Sequence, residues 1–198
     1  MKKIFMLIAS AFLFANVHAS NVEKIQFANA GDFSLGLMVG VPTVVSGAPF
    51  FSIDGMVGLK DGFIHTDKFG DNGAIDLGLL VGFQSWKTDG YWNMPIVARS
   101  GFHFEFVKKL DVYAGLMGGV NLYHWDQSEI FDVIDPAEAG VQRKGTDVYG
   151  IFGTYIGAKW HFTDLFGVKV ECSGDWVGRV RRVDSEMPAV AGGVTFNF

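Results

Sequence analysis

Ten ionisable residues alternate with apolar neighbours: Asp54, Lys60, Asp76, Arg99, Glu105, Asp111, Lys159, Lys169, Glu171 and Asp175. If they share one enclosed space, six acids and four bases could line an ion path or a selectivity ring. They could equally pair off. Unpaired charge in a narrow interior is costly, so pairing into a structural charge network is the expectation. His103 and His161 fall in the same series, with Glu105 beside them. A metal site would need a third ligand in defined geometry, and no tight ligand spacing is present. Hydrogen-bonded histidines are expected instead, with neither metal nor cofactor. His124 lies close to Ser128 and Glu129. A base and a nucleophile would have to meet within hydrogen-bond reach, whereas a histidine at an interface needs no catalytic explanation, and no catalysis is expected. Cys172, the single cysteine, falls in an apolar series and reads as a small apolar residue.

These residues must be positioned by strands, because the chain has almost no helical periodicity and repeated period two. In "FSLGLMVGV" the residues Phe33, Leu35, Leu37, Val39 and Val41 alternate with Ser34, Gly36, Met38 and Gly40. In "IDLGLLVGFQSW" Ile75, Leu77, Leu79, Val81 and Phe83 alternate with Asp76, Gly78, Leu80, Gly82 and Gln84. The same split runs through 51–60, 92–106, 110–125, 148–162, 166–176 and the closing "GGVTFNF". Strict alternation of this kind gives strands with two chemically different faces. Eight such segments are predicted.

The two faces decide the class. A soluble sandwich or lipocalin would show charge outside and apolar residues within. Here the polar face is rich in glycine and holds charges of both signs, which suits a narrow interior with room only for side chains. The apolar face is large and aromatic, which suits lipid. A membrane-spanning barrel alternates apolar-out and polar-in over segments of about 10 residues, and closure removes edges that cannot stay unpaired in lipid. The expectation is an all-β fold: an eight-stranded antiparallel up-and-down transmembrane β-barrel.

The remaining features fit around that barrel. "MKKIFMLIASAFLFANVHA" has a charged start, a short apolar stretch and a small-x-small site before Ser20. It reads as a signal peptide over 1–19, leaving a barrel domain over 20–198. With Lys2 and Lys3 gone, the formal charge moves from -5 to -7, and no basic surface argues for nucleic acid. One cysteine allows no internal disulfide. With both termini on the inner side, the outer loops fall near 42–50, 87–90, 126–147 and 177–186. The inner turns fall near 61–74, 107–109 and 163–164. Outer loops of such barrels are long and inner turns short; the 61–74 connection is too long for a tight turn. Tyr91, Trp92, Tyr123, Trp125, Tyr149 and Trp176 fall at the outer rim, with Phe102, Phe104, Phe106, Trp160, Phe162, Phe166, Phe196 and Phe198 at the inner one.

The hairpins "GFHFEFVKKLDVYAGLMGGVNLY" and "YIGAKWHFTDLFGVKVECS" resemble those of the small outer-membrane β-barrels of Gram-negative bacteria, of the OmpA/OmpX type. The ending is similar to that family's terminal targeting signal, matched by Gly193, Phe196 and Phe198, with Gly192 standing where a polar residue is usual. The resemblance implies residence in the outer membrane among lipopolysaccharide and phospholipid, and handling by the barrel-assembly machinery. Its motifs say little about activity; the expectation for the whole chain is a structural or adhesive role borne by the outer loops, with the acidic 126–147 loop able to bind an extracellular ligand. Three rivals remain open: a lipid A-modifying enzyme working through His124, a narrow porin-like channel sensitive to Lys60 or Arg99, and a soluble periplasmic barrel.

Overall fold

The computed structural model describes residues 29–41, 49–66, 70–86, 90–126, 144–177 and 190–198. The signal peptide expected over 1–19 lies outside them, as do Ser128, Glu129 and most of the 126–147 loop. Among the described residues there are ten strands: β1 (Phe33–Val41), β2 (Phe50–Lys60), β3 (Ile64–Thr66), β4 (Gly70–Asn72), β5 (Ala74–Trp86), β6 (Tyr91–Val107), β7 (Leu110–Asp126), β8 (Lys144–His161), β9 (Phe166–Val177) and β10 (Val190–Asn197). Eight close a barrel in the order β1-β10-β9-β8-β7-β6-β5-β2, every neighbour antiparallel. β10 completes the ring on β1. Phe198 N donates to Phe33 O at 2.8 Å and Phe33 N to Phe198 O at 3.1 Å, and the two rings stack.

Alternation in the sequence becomes inside and outside. Along β5, Leu77, Leu79, Val81 and Phe83 are exposed while Asp76, Leu80 and Gln84 are buried. Leu79 is 59% exposed and Arg99, on the neighbouring strand, is 2% exposed. The polar face is therefore the buried one. Glycine on that face makes room for partners across a narrow interior. A Cβ at Gly157 would lie 2.5 Å from the Tyr113 hydroxyl and 2.6 Å from Val170 O.

The connections between β2 and β5, β6 and β7, and β8 and β9 lie at one end, called here the turn end. At the other end, the loop end, β1, β5, β7 and β9 finish and β2, β6, β8 and β10 begin. Near the loop end Met38, Phe50, Leu80, Val97, Met117, Ile151 and Ala191 pack into an apolar plug that fills the interior.

Three details differ from the sequence expectation. The 61–74 connection is neither a tight turn nor an open loop, because β3 and β4 pair within it as a small hairpin. Its last residue, Asn72, is buried at the mouth of the barrel: Asn72 Nδ2 donates to Glu105 O at 2.8 Å and Glu105 N donates to Asn72 Oδ1 at 3.1 Å. The amide thus satisfies β6 backbone groups at the edge of the Glu105/Val107 irregularity. Residues 144–147, expected in a loop, are strand, paired with Tyr123 to Asp126. Lys60, expected inside, is exposed. Gly58 pairs with Asp76 but Lys60 pairs with Ile75, so a bulge at Leu59 sets two residues against one. One extra residue shifts everything beyond it to the opposite face.

Candidate functional site

The interior of the turn-end half is a lattice of charges contributed by six strands. β9 carries Lys169 and Glu171, consecutive on the inward face and of opposite sign. They reach in opposite directions around the ring. Glu171 Oε2 accepts from Arg99 Nη2 on β6 at 2.6 Å and from the Tyr113 hydroxyl on β7 at 3.2 Å. Lys169 Nζ donates to Asp54 Oδ1 on β2. Neither partner strand is a neighbour of β9, so both pairs cross the interior. The Arg99 guanidinium also lies 3.7 Å from the centre of the Tyr155 ring, a favourable cation–π placement. Gly36 lies beneath the Lys169–Asp54 contact, where a Cβ would overlap both side chains.

A second group lies closer to the turn end. His103 on β6 has Nε2 2.7 Å from Asp76 Oδ2 on β5 and Nδ1 2.8 Å from Asp111 Oδ2 on β7. Both carboxylates accept from one ring only when both ring nitrogens carry hydrogen. Asp76 Oδ1 also accepts from Gly101 N at 2.8 Å. Lys159 Nζ lies 4.0 Å from Asp111 and 5.1 Å from the centre of the Tyr113 ring. His161 is buried nearby, its Nδ1 3.1 Å from Asn197 Nδ2.

Of the sequence-derived series, Asp54, Asp76, Arg99, Glu105, Asp111, Lys159, Lys169 and Glu171 are all buried inside the barrel. Lys60 is not among them. Asp175 pairs in the ladder with Gly153, and its side chain lies outside the description. Sequence reasoning missed Tyr113, Tyr155 and Asn72. The tyrosines lie in the inward series and could have been picked as partners, but nothing in the sequence marks Asn72.

Such an arrangement holds strands together. A charge buried beside a fixed counter-charge is tolerable, and the pair then ties the walls it spans. Two hollows among these side chains are about 10 Å³ each, room for about one water apiece. Among the described residues no group of three metal-binding side chains is gathered.

On the outer surface at the loop end His124 stacks on Trp92, centroids 5.3 Å apart, and Trp92 stacks on Phe83. His124 Nδ1 is 3.0 Å from Thr146 Oγ1. In β10, the Phe196 ring is 5.6 Å from that of Phe166, and a Cβ at Gly193 would meet the β1 backbone at Leu37. Cys172 is half-buried on the outward face, beside Ile156 in the ladder.

The fold is that of a closed eight-stranded up-and-down barrel. Among solved structures, the N-terminal β-barrel domain of Pseudomonas aeruginosa OprF is similar over 85% of this chain and 98% of that one, with 14% identity and a TM-score of 0.50. Ail, the attachment invasion locus protein of Yersinia pestis, is similar over 85% and 99%, with 9% identity and a TM-score of 0.49. Neisserial surface protein A is similar over 84% and 92%, with 12% identity and a TM-score of 0.47. No protein-family model matches the chain, and no curated protein matches it in sequence. At these identities the likeness to OprF speaks for the fold alone.

Proposed function

We propose that the protein is an integral outer-membrane barrel whose role is structural and adhesive, borne by its outer loops. One observation carries this reading: all eight barrel strands turn apolar side chains outward, around an interior closed by ion pairs and an apolar plug. Lipid is the solvent that makes such a surface stable, and a closed ladder is what lipid demands of strands. Lipopolysaccharide and phospholipid would then surround the belt. The segment between β7 and β8, longest in sequence of the outer connections, would be the place for an extracellular ligand. Gly193, Phe196 and Phe198 would serve as the address read by the barrel-assembly machinery, after a leader is removed near Ala19.

The test is fractionation followed by a gel of boiled and unboiled protein, then attachment of cells bearing the intact chain or one with 129–141 replaced by a Gly-Ser linker. Membrane residence, a heat-dependent shift and weakened attachment of the linker variant are expected. A soluble periplasmic protein with no shift would contradict the membrane reading.

The interior filled by side chains argues against the channel alternative. The enzyme alternative keeps one observation in its favour, the His124–Thr146 contact, which has the reach of a base and a hydroxyl. Among the described residues no carboxylate orients the ring. If it were catalytic, His124→Ala would abolish a change in the lipid A mass spectrum produced by the wild-type chain. The expected outcome is identical spectra.

A further inference from the structure

We propose that His103 is a proton-binding site served from the turn end of the barrel alone, through water held in the two hollows of the charge lattice. The inference goes beyond the adhesive reading and shares with it only the premise that the barrel spans a membrane.

His103 is held so that one of its two ring protons can leave. Asp76 of β5 lies 2.7 Å from Nε2 and Asp111 of β7 lies 2.8 Å from Nδ1, so the ring carries hydrogen on both nitrogens when both contacts are made. Tyr113 of β7 stacks on the ring, centroids 5.3 Å apart. The Tyr155 hydroxyl, Lys159 and His161 face it from β8, and Arg99 and Glu105 flank it on the inward face of β6. If Nε2 loses its hydrogen, Nδ1 still donates to Asp111, and Asp76 keeps Gly101 N, which donates to Oδ1 at 2.8 Å. Neither buried carboxylate is then left without a donor, which limits the cost of the charge change.

The route to that proton runs one way. The first hollow lies among Asp32, Ser34, Asn197, Asp76, His103 and Lys159. Asp32 precedes β1 and Asn197 ends β10, both at the turn end. With Ser34 they are half-buried, so the hollow reaches the mouth of the barrel. The second hollow shares Asp76, His103 and Lys159 with the first and continues to Arg99, Tyr155 and Glu171. His103 thus borders both, and each has room for about one water. None of the described residues lining either hollow belongs to the apolar plug. Apolar side chains carry no proton, so the lattice is insulated from the loop end.

The step balances with hydroxide from the medium at the turn end. The Nε2–H bond breaks and its proton passes to the water between His103 and the mouth. That water gives a proton to hydroxide, which becomes water. The ring is left neutral, with its remaining hydrogen on Nδ1, and the lattice has lost one positive charge.

The experiment uses the full chain, its histidines labelled with carbon-13, in sealed phosphatidylcholine vesicles. A tag placed between β7 and β8 captures vesicles with the loop end outward and separates them from those with the turn end outward. The outer medium is made alkaline in a rapid jump, and time-resolved infrared spectra follow conversion of imidazolium to imidazole. The signal missing from His103→Gln is assigned to His103. Conversion is expected at once with the turn end outward, and with the loop end outward only after an ionophore collapses the gradient. Ser34→Leu, which puts a larger apolar side chain into the first hollow, is expected to slow the conversion by about tenfold. Retention of the heat-dependent gel shift shows that this variant is folded. Conversion from the loop end before the gradient collapses overturns the inference, and so does a Ser34→Leu rate equal to that of the wild type. A His103 ring that is neutral at the start, or that stays imidazolium from both sides, overturns it as well. Fractionation reads membrane residence by itself, so any of these results in a membrane-resident chain overturns the proton site and leaves the adhesive reading standing.

Discussion

The two halves of the barrel interior solve the same problem with opposite chemistry. At the turn end, Arg99, Lys169, Asp54 and Glu171 reach across to partners on non-neighbouring strands, and each contact names one partner. Near the loop end, Met38, Phe50, Leu80, Val97, Met117 and Ile151 fill the same bore with volume. A plug needs only shape and apolarity, so it tolerates exchange among residues of similar size. A charge lattice needs each member, since losing one strands its partner in a dry interior. Both halves close the bore, but only the lattice also fixes which strands face each other.

That contrast predicts a ranking of effects on unfolding in lipid vesicles by urea. Glu171→Ala, which abandons Arg99, should destabilise most, by about 3–5 kcal/mol. Replacing Arg99 and Glu171 together by Met should cost far less than the single change, because a buried pair exchanged for apolar residues of similar volume is often neutral. If the double variant is as unstable as the single one, the lattice is not what the lost charge disrupts. In the plug, Leu80→Ala should cost about 2–5 kcal/mol through the cavity it leaves, and Leu80→Met less than about 1.5 kcal/mol. Gly157→Ala should cost about 1–3 kcal/mol, as the new methyl meets the Tyr113 ring and Val170 O. Lys60→Gln, on the exposed side of the bulge, should fall within about 0.5 kcal/mol of wild type. A large loss there would return Lys60 to the interior.

How much of this was legible follows from what each feature depends on. Strand identity and face depend on local alternation, and "IDLGLLVGFQSW" states it without ambiguity. The inward charges could be collected the same way. Their partners could not, because pairing Lys169 with Asp54 depends on how the sheet curves shut, and nothing within either strand encodes that. The bulge at Leu59 was invisible because Lys60 keeps the parity of Asp54 in the sequence while the backbone has shifted beneath it. Asn72 was missed because its role comes from the irregularity at Glu105, a strand away. The 144–147 segment was read as loop because its polar residues mark the rim of a strand as readily as a turn.

The central claim is that the exposed apolar face meets lipid. It is tested most directly by spin labels at Leu77, Leu79, Val81 and Phe83, one at a time in a Cys172→Ser background, in reconstituted vesicles. Collisions with dissolved oxygen should dominate over collisions with a water-soluble nickel chelate at all four positions. Dominance of the nickel chelate at these positions would place that face in water and contradict the account.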